Sequence, residues 1–524
     1  MTDLKMIGGE MPDWSDRRAD ERPPAGGAVF AEILRRMAPA GGRILVAGPH
    51  DDALIDALGS RTEVVCLLRS ETDAAALAER GVTVLCGTLA KVTDADRYDV
   101  VVALDGVDRL CSVEGPQLDW AEAVQVLRRA LRPGGSLLLA VENELGVHRL
   151  VDRSAPTSAH GPGDWRPVGE FDEAKPGNPT RLAGRLAADG LAVSWLAAAW
   201  PLPSAPTLLA TPYALQDGPV GALSAAAAGA AGTAYAGVPV LSDPRRLAAA
   251  AVRGGLGAEF AASWIVLAHR APRPALDFVP PPVLLGDGPV VELAHDRDGG
   301  WVRKVVSGTT TPGRDTTRLN GPLPTGRLLE ELLLAACLRH ELRTARRLLS
   351  GWATWFDTLA ADSQGSATVD NVLVDGDAYA LLDPSRLGTS PGPATALRRF
   401  AETLLAGGYA HPWASATNVD SLTAVLAGAA GVQHVPAVES APVPIPDSQR
   451  EHEEQLRMLR EQLADATTRA AWFEAELSGR DSELRRARLQ IKAFSGKFSY
   501  RVAKLGAVSA RKARNALRRV GKES

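Results

Sequence analysis

Residues 43–68, RILVAGPHDDALIDALGSRTEVVCLL, contain the pattern that decides the fold. Five apolar-rich residues, Arg43–Ala47, are followed by the short loop Gly48-Pro49-His50-Asp51-Asp52. A helix-patterned run, Asp52–Leu58, comes next, and then a second apolar run, Glu63–Leu68. Neither apolar run alternates with polar residues, so both faces of each strand are expected to be covered. Upstream, AVFAEILRRM (28–37) is spaced as an amphipathic helix. Downstream the alternation continues through a helix at Thr72–Arg80 and strands at Val82–Cys86 and Asp99–Leu104. A helix at Asp119–Leu131, the turn Pro133-Gly134-Gly135 and a strand at Ser136–Val141 complete it. Strand and helix in turn, with strands apolar on both sides, predict an α/β domain with an open, doubly wound parallel sheet. Ligands of such sheets bind outside the carboxyl ends of the strands, which places the loop 48–52 at a candidate crevice. There a glycine lets the backbone approach a ligand, and an acid ending the second strand could hold ribose hydroxyls.

The chain has 524 residues, 45% hydrophobic and 23% charged, with a mean hydropathy of −0.05. These values exclude a mostly disordered chain and a polytopic membrane protein. The stretch 222–241 is too poor in Leu, Ile, Val and Phe to span a bilayer, and the first residues lack a signal peptide's apolar core. Cys66, Cys86, Cys111 and Cys337 are far apart and read as reduced, buried thiols. A cytoplasmic protein is expected.

The predicted organisation is a loose leader (1–25), the α/β domain (26–272), and a second α+β region (273–436) beginning after the proline-rich APRPALDFVPPP. A linker (437–448), a coiled coil (449–498) and a basic tail (499–524) follow. Apolar residues at 456, 463, 477, 484 and 491, with partners at 459, 473 and 494, sustain about six heptads, so a homo-oligomer is expected. From Lys497 onward there are nine Lys/Arg and one Glu, a charge of +8. The overall charge of −4 therefore leaves −12 on the other 496 residues. Basic residues interleaved with apolar ones in the tail suit an anionic membrane surface. No nucleic-acid-binding motif accompanies the charge, so nucleic acid is not an expected partner.

RILVAGPHDDAL, YDVVVALDGVDRL and LRPGGSLLLAVEN resemble, in this order, the motifs of class I S-adenosylmethionine (SAM) methyltransferases. VENELGVHRLVD and GGLGAEFAASWIVLAHR are similar to segments of those found in surface-polysaccharide gene clusters. The resemblance covers residues 28–270. It implies a Rossmann-like fold, SAM as cofactor, and cofactor contacts from Gly48, His50, Asp52 and Asp105, with Glu142 and His148 as acid/base candidates. A solvated loop position is the alternative for His50. The sequence departs from the family where the acid early in the first motif is Val46, the ribose-binding acid is Leu68, and the acid after the third strand is Thr88. The second region resembles a kinase or aminoglycoside-phosphotransferase lobe. Lys304 stands on a strand, and Asn371 and Asp383 flank a hairpin where that family holds magnesium. Ser366 replaces the base, so ATP and magnesium are not expected to be used. The whole order resembles the methyltransferase–kinase that caps O-antigen chains. It implies either a methyltransferase acting on a surface glycan, or an inactive scaffold that tethers glycosyltransferases to the inner face of the membrane.

Overall fold

The computed structural model describes residues 4–17, 22–59, 62–93, 97–113, 115–153, 157–158, 161–165, 169, 172–271, 278–286, 288–297, 299–388, 392–433, 445–496 and 498–520. The chain divides into two units, 1–453 and 454–524.

The first unit is built on one mixed sheet of thirteen strands: β1 (Leu4–Gly8), β2 (Arg43–Ala47), β3 (Glu63–Leu68), β4 (Thr83–Gly87), β5 (Tyr98–Ala103), β6 (Leu131–Glu142), β7 (Leu191–Trp200), β8 (Leu208–Ala210), β9 (Ser263–Arg270), β10 (Val283–Gly286), β11 (Val290–His295), β12 (Trp301–Ser307) and β13 (Gly321–Pro322). Their spatial order is β1-β4-β3-β2-β5-β6-β9-β7-β8-β10-β11-β12-β13. From β1 to β6 all neighbours are parallel. From β6 onward each neighbouring pair is antiparallel. The chain winds outward from β2 through β3 to β4, then returns to start β5 on the other side of β2. That reversal is a topological switch point, and a crevice opens above the carboxyl ends of β2 and β5.

Coverage of both faces follows from the strand period of two. Leu45, Ala47, Val65 and Leu67 feed one apolar core, beneath the helix Trp120–Ala130. Ile44, Val46, Cys66 and Leu68 feed the other, beneath Ala28–Met37. All four cysteines are free and buried, and burial pushes the Cys66, Cys86 and Cys337 thiols up to about 12.

Two features differ from the sequence expectation. The leader is not loose where it is described. β1 adds to the sheet in parallel with β4, and Ala25 pairs with the loop after β2, donating to Pro49 O (3.1 Å) and accepting from Asp51 N (2.8 Å). Its charged, proline-rich composition looks solvated only until the tertiary partners of those charges are present. Second, the strands after residue 278 extend the sheet across the expected boundary at 272/273. β10 pairs with β8, Leu208 opposite Leu285, and so covers an edge that would otherwise be exposed. Residues 272–277 of the proline-rich segment and 434–444 of the later linker lie outside the described residues.

The Ala/Gly-rich stretch is the helix Val220–Ala234, with Leu223, Ala227 and Ala231 buried. Small residues let the second region come close. A side chain at Gly221 would clash with the Gly326 carbonyl. Beyond this contact, Arg327–Leu328, Val372–Asp375 and Ala378–Leu381 form a small sheet. The helices Leu329–Leu338, Leu342–Phe356, Pro393–Ala406 and Val419–Ala430 pack around Trp352, Phe356 and Phe400.

The second unit is helical. The helix Gln449–Gly496, 48 residues, continues into this unit, and Phe498–Val520 follows. At ~1.5 Å per residue the longer helix measures roughly 72 Å. Leu456, Leu463, Leu477, Leu484 and Ile491 are each more than half exposed, as are Phe473 and Phe494. No helix among the described residues is long and apolar enough to cross a membrane.

Candidate functional site

The crevice at the switch point is the site the sequence singles out. Gly48 begins its loop at φ +89°, a left-handed conformation that favours glycine. The side chains around it are not arranged for a cofactor. His50 is 2% exposed. Its Nε2 lies 3.2 Å from the Leu104 backbone N–H and its Nδ1 3.0 Å from the Gly48 carbonyl. Because an N–H only donates and a carbonyl only accepts, the ring is neutral, with its proton on Nδ1. Both nitrogens are therefore spent tying the β2 loop to the β5 loop. This overturns the solvated-loop alternative and leaves the ring no polar atom for a ligand. Burial, outweighing its acidic neighbours, lowers the His50 pKa below 6.5.

A stability test follows from that shift. Below about pH 6.5 the unfolded chain protonates His50 while the folded chain does not, so folding weakens as pH falls. The slope approaches about 1.4 kcal/mol per pH unit, down to the folded-state value. His50→Gln should remove this slope in urea unfolding between pH 7.5 and 5. His411, also lowered by burial, contributes equally to both proteins and cancels.

Asp52 lies on the rim, paired with Arg17 (2.5 Å) and Arg80 (2.7 Å). Asp105 is buried and grips Arg109 with both oxygens, at 2.8 and 2.5 Å. The remaining N–H groups of Arg109 reach into the leader, donating to the carbonyls of Asp16 (2.8 Å), Arg22 (2.9 Å) and Pro23 (3.1 Å). Arg69, directly after Leu68 at the end of β3, is held by both Asp16 oxygens (2.8 and 2.7 Å) and donates to Cys111 O. Leader and strand ends are thus locked by Asp16–Arg69 and Asp105–Arg109, all four side chains at most 6% exposed.

Leu68 and Val46 are packed in the apolar core and offer no acceptor to a ribose. Thr88 is fully buried, its hydroxyl facing the Ser112 N–H. Glu142 and His148 are brought together, 3.1 Å apart, but Arg22 and Arg149 share the carboxylate. Burial alone would raise Glu142; Arg22, His148 and Arg149 outweigh it and hold the carboxyl well below the usual carboxylate range, which makes it a weak base. A hollow of about 20 Å³ remains beside Asp105 and Glu142, near the ~10–15 Å³ a single water requires. As arranged, these residues do not fit SAM.

In the second region, Asn371 and Asp383 come together through backbone hydrogen bonds. The Asn371 amide donates to the carbonyls of Ser366 and Asp383 and accepts from Asp383 N, each at 2.9 Å. Asp383 Oδ1 accepts from Ser385, and Oδ2 faces Arg314 (3.0 Å) and Arg386 (3.2 Å). Arginines stand where a metal would bind, so the magnesium-holding role implied for this pair does not fit. Among the described residues no group of three His, Cys, Asp or Glu could hold a metal. Lys304 is 71% exposed and faces Glu292 on the neighbouring strand. Arg303, one residue earlier and on the opposite face of β12, lines the interior. Sequence reasoning missed it, although strand alternation around Lys304 carried the signal.

The chain matches no protein-family model and no curated protein sequence. Solved structures similar to it include 1,6-didemethyltoxoflavin-N1-methyltransferase of Burkholderia thailandensis, with S-adenosylhomocysteine bound. That likeness has 13% identity over 46% of this chain and 76% of that one, at a TM-score of 0.25. The CcbJ methyltransferase of Streptomyces caelestis has 17% identity over 37% and 89%, at 0.25. The YcgJ protein of Bacillus subtilis has 14% identity over 47% and 99%, at 0.26. The fold rests on the strand order and switch point described above: a mixed α/β sheet, parallel through its first six strands.

Proposed function

We propose that this chain is a non-catalytic, methyltransferase-like scaffold in surface-glycan assembly. One observation carries the non-catalytic reading: the leader packs on the residues of the switch-point crevice, its buried Asp16 paired with Arg69 and its Asp16, Arg22 and Pro23 carbonyls accepting from Arg109, which Asp105 holds. The apolar stripe of the long helix, exposed from Leu456 to Phe494, supports self-association, because apolar surface of this extent favours burial against a second copy. The basic tail then places the oligomer on the anionic inner face of the cytoplasmic membrane, where it tethers glycosyltransferases. The glycan context rests on the resemblance of VENELGVHRLVD and GGLGAEFAASWIVLAHR.

Titration calorimetry with SAM or S-adenosylhomocysteine on the full chain should show no binding at millimolar ligand; micromolar binding would return methyl transfer as the function. Sedimentation should find an oligomer that Leu477→Glu with Leu484→Glu converts to monomer. A monomeric unaltered chain would sink the scaffold.

A further inference from the structure

Within the first unit, a cavity of about 550 Å³ lies between the helix Val220–Ala234 and the strands and hairpin of the second region. Small-molecule sites commonly measure ~300–1,000 Å³. One wall is Leu223 and the alanines of the helix; Leu285, Val291 and Leu293 face it. Among the described residues no aromatic side chain lines the cavity.

The charged groups in this lining are unevenly matched, six arginines to four carboxylates. The imbalance is sharpest around Asp383, whose single carboxylate already serves Arg314 and Arg386. A third guanidinium, Arg303, is 8% exposed. It donates to the carbonyls of Leu382 (2.5 Å) and Pro322 (3.4 Å), and its Nε has no hydrogen-bond partner. Among the described residues no carboxylate comes within ion-pair distance of it. Burial lowers the Arg303 pKa, and the attraction of Asp383 only partly offsets this. A buried cation without a counter-charge is costly, and an anion entering the cavity would supply one. Planar guanidinium forks pair best with the several oxygens of a phosphate.

We propose that this cavity binds an aliphatic phosphate, with the phosphate on Arg303 and Arg314 and the hydrocarbon along the alanine and leucine walls. The aliphatic body is favoured over a nucleoside because no aromatic ring is present to stack a base.

The test is calorimetric titration of the full chain with farnesyl phosphate below its micellar concentration, beside farnesol, inorganic phosphate and ADP. Farnesyl phosphate should bind saturably, with each of the other three at least 10-fold weaker. Arg303→Gln should weaken it at least 10-fold, with the fold checked by Tm, since the glutamine amide can still donate to one of the Leu382 and Pro322 carbonyls that Arg303 serves. Gly229→Phe should do the same by filling the mouth. Gly229 lines the cavity, and a Cβ added there meets nothing within 4 Å, so the substitution starts without a backbone clash, and an unchanged Tm would show the fold is kept. Absence of saturable binding, or undiminished binding by both variants, would overturn the proposal. ADP binding more tightly would make this a nucleotide site instead, and inorganic phosphate binding equally well would remove the role of the hydrocarbon.

Discussion

Asp16→Ala should destabilise the first unit by about 3–5 kcal/mol, the range seen when one partner of a buried ion pair is removed. Asp16 and Arg69 are 3% and 2% exposed at the side chain. Without the carboxylate, Arg69 loses its Asp16 ion pair and both hydrogen bonds that Asp16 accepts from it while staying buried. A leader that merely trailed in solvent would give no change, so urea unfolding separates the two pictures. The double variant Asp16→Ala with Arg69→Met should recover much of the loss, since an apolar pair of similar volume can replace a buried ion pair at little cost. Titrating SAM into the single variant adds a second readout. If the leader alone blocks the crevice, weakening its anchor should reveal binding. Continued absence of binding would mean that Leu68 and Val46 have removed the cofactor's partners as well.

Replacing Arg501, Lys504, Arg511 and Lys512 with glutamine should weaken binding to phosphatidylserine-containing vesicles by about 10³-fold. Each basic residue near an anionic bilayer contributes about 1 kcal/mol, and ~4 kcal/mol corresponds to nearly three decades of affinity. All four side chains are exposed on the helix Phe498–Val520, alongside exposed Val502, Leu505 and Val508. The unaltered chain should bind less as salt rises and should not bind neutral vesicles. Unchanged partitioning of the variant in vesicle co-sedimentation would remove the membrane from the proposed function. The substitutions leave the stripe from Leu456 to Phe494 intact, so the oligomer should persist, and charge and self-association can be read apart.

Much of the fold was legible in the sequence for a local reason. Arg43–Ala47 and Glu63–Leu68 are strands with those bounds in the structure, because unbroken apolar runs between helical patterns have few other ways to be buried. The hairpin at Val372–Leu381 was legible through its Asp-Gly turn. Side-chain roles were less legible. Lys304 looked like the functional cation, yet a strand alternates faces, and the sheet's environment turned Arg303 inward and Lys304 outward. His50 looked like a loop residue, and only the approach of β5 gave its Nε2 a donor.

The sequence by itself determined the winding of strands β2 to β6, the covering of both sheet faces, the apolar stripe of the long helix and the basic end. These depend on residue periodicity and composition, which act locally. Tertiary packing decided that the leader is held against the crevice residues, that β10 continues the sheet past residue 278, and that Arg314 and Arg386 share the Asp383 carboxylate near Arg303. Each of these joins residues far apart in the chain, Asp16 with Arg69 and Asp105 with Pro23 through Arg109. Whether a charge is solvated or buried, and so whether it costs or contributes stability, depends on which distant groups folding brings to it.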